Sequence, residues 1–166
     1  MPAEQLVQQM TRYFNVAADV IERFGGTIDK FLGDGILVLW GAPANLPDAP
    51  FQACRAALEL QRALDALNAE WTSAGLPRFD TGIGIHTGPV VAGVLGSDDR
   101  LGYTALGDTV NVANRVEGLN RELGTRILIS EATAACLGGR LSTRVIGSVT
   151  LRGRQRPLQV SELLPD

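Results

Sequence analysis

The chain has 166 residues, 45% hydrophobic and 20% charged, with a net charge of −3. That length fits one domain with a substantial core, and the acidic balance excludes a general basic surface for nucleic acid. Cys54 and Cys136 form no CxxC pair, which argues against a disulfide framework or zinc site, and no apolar run approaches the about 20 residues that a spanning helix needs.

Leu6, Met10, Phe14, Ala17, Ile21 and Phe24 recur at three- and four-residue steps, predicting an amphipathic helix over residues 3–24 that Gly25 and Gly26 close. Residues 27–32 and 36–40 read as the two strands of a hairpin about Gly33, Asp34 and Gly35. The second strand is apolar almost throughout and is expected to be covered on both faces. After a loop over residues 41–50, Phe51, Cys54, Leu58, Leu64, Leu67 and Trp71 mark a second long helix ending before Gly75. Residues 79–86 and 90–95 read as strands flanking the Thr87-Gly88-Pro89 turn, and a polar loop over 96–100 leads to a strand at 101–106. Asp108 is placed to cap a helix running to Leu123, with Gly124 after its last turn. Strands at 127–129, 144–151 and 158–163, and a short helix from Ser130, complete an α+β sandwich, a mixed sheet with helices packed on it.

Within the helix from Asp108, Val112, Val116, Leu119 and Leu123 form the apolar stripe. Asn111 and Arg115, one turn apart, then fall at its edge or on the open face. An amide and a guanidinium presented together near a helix start suit a phosphate or a sugar. Spacing alone favours a bland arrangement, with Arg115 paired to a carboxylate such as Glu122 and Asn111 solvated. Taken by themselves, Asp34 reads as a turn residue, Lys30 as a solvated strand residue and His86 as structural. The sequence has no G-x-x-x-x-G-K-[ST] loop and no G-x-S-x-G elbow, which argues against a P-loop nucleotidase and a serine hydrolase.

In order along the chain, GGTIDKFLGDG, GIGIHTG, VVAGVLGS, YTALGDTVNVANRVEGL, ILISEAT and TLRGRQRPLQV resemble segments of class III nucleotidyl cyclases. These enzymes close ATP or GTP into a 3′,5′-cyclic monophosphate. The resemblance runs from Leu6 to the C-terminus, so that residues 1–166 form one catalytic domain. It implies a ferredoxin-like core that works as a homodimer, with active sites between two copies and Mg2+ or Mn2+ as cofactor, two ions per site. It further implies that Asp34 binds metal, Lys30 and Thr104 recognise the purine, Asn111 orients the ribose and Arg115 stabilises the transition state. Arg152 falls where the family places a basic residue on the terminal phosphates. A lysine donates to adenine N1 and a threonine hydroxyl accepts from the N6 amine, whereas guanylate-specific relatives usually carry Glu and a small residue at these positions. Lys30 with Thr104 therefore favours ATP over GTP.

The sequence departs from that family in one respect. The family begins with a strand resembling F-x-D-I-x-G-F-T, which carries the first metal aspartate, and this sequence starts at the helix that follows. The implied partners are therefore ATP, a second copy, and an upstream regulatory domain or the missing N-terminal strand, with no nucleic acid or membrane contact by this domain. The alternative is a cyclase-homology module that dimerises or binds nucleotide without turnover. The start is not that of a signal peptide, so the expected location is the cytoplasm, with any membrane anchor elsewhere in a longer parent protein.

Overall fold

The computed structural model describes residues 2–97, 100–150 and 156–166. Helix α1 (Ala3–Arg23) is amphipathic as predicted, but its buried face is rotated from the expected stripe. Gln9, Tyr13, Ala17, Val20 and Ile21 are buried, while Leu6 is 48% exposed and Phe14 and Phe24 only border the core. The rotation has a visible cause. Tyr13 turns inward onto Phe79, with ring centroids 4.8 Å apart, and Gln9 donates to the Pro77 carbonyl at 2.9 Å.

Strands β1 (Thr27–Leu32) and β2 (Gly35–Leu39) form the expected antiparallel hairpin. The double coverage expected for the second strand is not found. Residues 35–38 are half-buried and only Leu39 is buried, because among the described residues β2 pairs with β1 alone. Helix α2 (Ala49–Ser73) lies between two cores. Leu60, Leu64 and Trp71 pack toward α1 and the hairpin, while Cys54 and Ala57 pack toward the main sheet.

That sheet runs β3 (Ile83–Ile85), β6 (Ile127–Ser130), β8 (Leu158–Leu163), β7 (Thr143–Val149). β3 is parallel to β6 and the other pairings are antiparallel, so the sheet is mixed, as predicted. β6 is buried throughout, and its period-two alternation divides its side chains between two layers. Ile127 and Ile129 face Cys54, Ala57 and Leu137 on one side, and Leu128 faces Val112, Val116 and Val160 on the other. Each fully buried aliphatic side chain of this kind contributes roughly 1.5–3 kcal/mol. Helices α2 and α4 (Glu131–Leu137) thus cover one face and α3 (Asp108–Leu123) the other.

The predicted strand over 79–86 pairs only at Ile83–Ile85. From Pro77 to the first residue of β3, alternate carbonyls are met by side-chain amides from three helices. Gln9 of α1 reaches Pro77 O at 2.9 Å, Asn68 and Gln61 of α2 reach Phe79 O at 2.9 Å and Thr81 O at 2.8 Å, and Asn120 of α3 reaches Ile83 O at 3.0 Å. These amides satisfy backbone acceptors that a neighbouring strand would otherwise have to meet.

Strands β4 (Val91–Ser97) and β5 (Arg100–Leu106) form a separate hairpin, longer than predicted, since pairing continues to Ser97 and Arg100 inside the expected loop. The short helix begins as expected, with Ser130 as its N-cap accepting from the Thr133 N–H at 3.4 Å. The strand expected over 144–151 is β7, which ends at Val149; Leu151 and Arg152 lie outside the described residues.

Candidate active site

Helix α3 presents the Asn111 and Arg115 pair, and three local features fix its start. Its N-cap is Gly107 at φ 132°, a backbone that side-chain-bearing residues rarely adopt, and no side chain caps the helix. This corrects the expectation for Asp108, which is instead the first helical residue, where a carboxylate suits the positive end of the helix dipole. The Thr109 hydroxyl donates to Pro89 O at 2.6 Å and ties the helix start to the turn after β3.

About two turns further in, α3 lies flush against β3. A Cβ at Gly84 would sit 2.3 Å from the Glu117 nitrogen, so only glycine permits this approach. With Val112 and Val116 fully buried beneath the helix, Asn111 and Arg115 are both exposed. Among the described residues Arg115 has no ion-pair partner, so the pairing with Glu122 does not form. Asn120 completes the buried stripe ahead of Leu123, which is 38% exposed. Its amide donates to Ile83 O and Glu117 O, both at 3.0 Å, and accepts from the Thr125 hydroxyl at 2.8 Å. Sequence reasoning missed this residue. The available signal was an Asn one turn after Val116, with a hydroxyl just past Gly124.

Asp34 is exposed in the turn between β1 and β2. Its charge is felt on two helices. Burial raises the Tyr13 hydroxyl above its usual range, against a bond from Thr81, and Asp34 adds to the rise. Burial likewise raises the Glu117 carboxyl, against Arg121, and Asp34 again adds to it. The hairpin tip therefore lies within electrostatic reach of α3, although among the described residues no hydrogen bond or ion pair joins Asp34 to Arg115.

Lys30 sits on β1 with its side chain 41% exposed and its Nζ 3.7 Å from Asp29 Oδ2. The Asp29 side chain is wholly buried, and the same oxygen accepts from the Ala105 N–H of β5 at 3.5 Å. This contact brings Lys30 near the backbone at Thr104, which pairs with Gly93. The Thr104 side chain and all of Arg152 lie outside the described residues. Among those residues no three His, Cys, Asp or Glu side chains converge on a point that could hold a metal ion.

His86 belongs to a hydroxyl cluster joining β3 to β6 and α4, with Nδ1 2.7 Å from Ser130 Oγ and Thr87 Oγ1 2.9 Å from Thr133 Oγ1. A cleft of about 710 Å³ opens at the far end of β3, lined by Arg78, Asp80, Glu117, Arg121 and Arg126 among others. It includes none of Lys30, Asp34, Asn111 or Arg115. Two of its arginines are already paired, Arg78 with Asp80 at 3.2 Å and Arg126 with Asp65 at 2.8 Å, which leaves it ill suited to a polyphosphate.

A sequence model of the adenylate and guanylate cyclase catalytic domain matches residues 1–161. The chain is 39% identical over 161 residues to adenylate cyclase 1 of Rhizobium meliloti (strain 1021), a match spanning 97% of this chain and 24% of that protein. It thus spans about a quarter of the length of that curated relative. Among solved structures it resembles the adenylyl cyclase CyaB from P. aeruginosa, with a TM-score of 0.92, 28% identity, and coverage of 100% of this chain and 85% of that one. It also resembles the guanylyl cyclase Cya2, with a TM-score of 0.88, 37% identity, and coverage of 99% and 83%. The shared fold is therefore the cyclase catalytic sandwich. No helix among the described residues is long and apolar enough to cross a membrane.

Proposed function

The chain belongs to the adenylate and guanylate cyclase catalytic-domain family, and from that premise we propose that it is the catalytic part of an adenylate cyclase. In this reading two copies form 3′,5′-cyclic AMP and pyrophosphate from ATP at a shared interface in the cytoplasm. The observation that carries it is the outward presentation of Asn111 and Arg115 one turn apart on α3, with the guanidinium uncompensated among the described residues.

The ribose 3′-oxygen attacks the α-phosphorus in line, the bond to the bridging oxygen breaks, pyrophosphate leaves and the hydroxyl proton passes to water. Asn111 orients the ribose for that attack. Arg115 meets the charge that grows on the non-bridging oxygens, where a rigid fork of donors serves better than a flexible ammonium. Lys30 donates to adenine N1 and Thr104 accepts from the N6 amine, which sets ATP above GTP. Arg152 neutralises the terminal phosphates. Similarity to both an adenylyl and a guanylyl cyclase leaves base choice to these side chains.

Asp34 fits a hard divalent cation. It is an exposed oxygen donor, and Mg2+ or Mn2+ is commonly held by one or two carboxylates together with substrate phosphates. Such ions, two per site in the family, supply activation of the attacking oxygen and shielding of the phosphates. Exposed Phe31 and Leu32 beside Asp34, with Val91 and Leu106 on the second hairpin, offer apolar surface for the second copy. Among the described residues the outer edges of β2 and β3 carry no strand, which suits an added strand from an upstream or neighbouring segment.

A second reading, nucleotide binding and dimerisation without turnover, is favoured by the lack, among the described residues, of any group of three His, Cys, Asp or Glu side chains placed to hold a metal ion. Assaying cyclic AMP from ATP and cyclic GMP from GTP, on the full chain with Mg2+ or Mn2+, separates the two. Formation of cyclic AMP supports the enzyme; ATP binding with no cyclic product of either kind supports the second reading.

A further inference from the structure

Among the described residues, Asp29 carries the one buried side-chain oxygen that lacks a hydrogen-bond partner, its Oδ1. An orphaned buried oxygen of this kind calls for a reason, since replacing the group with an apolar one would remove the cost. Its place in the strand is also irregular. Ile28 pairs with Val38 and Lys30 with Leu37, so Asp29 is an extra residue with no partner across the hairpin. A regular pleat sends neighbouring side chains to opposite faces, and a bulge breaks that alternation and re-aims them. Here the bulge lets Asp29 Oδ2 lie 3.7 Å from the Lys30 ammonium while accepting from Ala105 N–H at 3.5 Å. The Asp29 side chain is wholly buried and the Lys30 side chain it contacts is 41% exposed, so an inside anchor meets a side chain open to solvent.

We propose that Asp29 is a positioning residue for base selection: it ties the Lys30 ammonium to the β5 backbone beside Thr104, so that the two base-reading groups are held in one register. The proposal rests on the reading of Lys30 and Thr104 given above. An ammonium on a four-carbon stem is otherwise free to meet either N1 of adenine or O6 of guanine, because it only donates. A fixed placement relative to position 104 is what turns a donor into a discriminator.

The test compares Asp29→Asn, Asp29→Ala, Lys30→Ala and the Asp29→Asn/Lys30→Ala double variant in the full chain. Two readouts are taken: the ATP-to-GTP ratio of kcat/KM, and the ratio of affinities for 3′-deoxy-ATP and 3′-deoxy-GTP, which lack the attacking hydroxyl and need no turnover. Asn keeps the oxygen for Ala105 but loses the charge for Lys30, so Asp29→Asn should lower the preference for adenine about tenfold with its melting temperature held. The double variant should match Lys30→Ala alone, because the carboxylate acts only through the ammonium. Asp29→Ala should also speed hydrogen exchange at the Ala105 amide, which Asp29→Asn should not. If Lys30→Ala changes the preference and Asp29→Asn leaves it within about twofold, the role of Asp29 is refuted while base reading by Lys30 stands. If Lys30→Ala itself leaves the preference unchanged, base reading by Lys30 fails and the proposal falls with it.

Discussion

Gly84 of β3 touches the backbone of Glu117 so closely that an added methyl would lie 2.3 Å from the Glu117 nitrogen and 2.6 Å from its Cα. The obstruction is backbone rather than the tip of a mobile side chain, so it can be relieved only by moving α3 as a body. Gly84→Ala should therefore destabilise the domain by about 1–3 kcal/mol, the usual cost of overpacking. It should also lower cyclase activity, because Asn111 and Arg115 ride on the displaced helix. Thermal unfolding and cyclic AMP formation measured on the same preparation check both effects. A melting temperature equal to the parent would show that α3 yields at Gly84 without cost.

Arg115 is exposed and makes no ion pair among the described residues, so removing it should leave stability nearly untouched. Arg115→Ala is expected to lower turnover with ATP by about 10³ or more, the range for an arginine that meets transition-state charge in phosphoryl transfer. Arg115→Lys should recover little of it, since an ammonium lacks the planar fork. Activity surviving Arg115→Ala within about threefold would remove this residue from the mechanism.

Asn68 is fully buried, and its amide brackets one residue, donating to Phe79 O at 2.9 Å and accepting from Phe79 N at 2.8 Å. Asn68→Ala strands both backbone groups, and each buried unsatisfied group costs about 1–3 kcal/mol. Asn68→Asp should also be destabilising, because it replaces the donor facing Phe79 O with an acceptor. Urea unfolding of the two variants against the parent measures the loss.

Two surface pairs set an acid-side dependence of stability. The Arg140 guanidinium holds the Asp48 carboxyl below its usual range, and Arg12 does the same for Glu70. A carboxyl whose folded value is depressed stabilises the fold above its unfolded value and loses that contribution as pH falls through the folded one. Stability should thus decline from about pH 5 downward, and Asp48→Asn and Glu70→Gln should each flatten the decline. Both pairs are exposed, so the dependence should weaken in high salt. Denaturant titrations across that range at low and high salt give the slopes directly.

The long periodic elements were legible in the sequence because one physical rule governed each of them. α2 and β6 follow their apolar patterns, and β1 and β8 match their expected bounds. The misreadings arose where a polar side chain took a buried place. α1 is rotated because Gln9 and Tyr13 face inward, and Asn120 occupies a stripe that was counted in Val and Leu. β3 proved short because its upstream carbonyls go to amides on distant helices, which no local pattern encodes. For the site, the outward aim of Asn111 and Arg115 followed from helix periodicity. The bulge at Asp29 did not, since an extra residue in a strand leaves no mark on alternation until its partner strand is known.

The amides along residues 77–83 reach across 68, 11, 20 and 37 positions of chain, for Gln9, Asn68, Gln61 and Asn120 in turn. That stretch draws its hydrogen bonds from three separate helices, so it should be among the last parts to order and the first to loosen. Native-state exchange should find its amides less protected than those of β6 and β8. A chain caught midway would then be one whose helices are all present but whose route between them is still undecided.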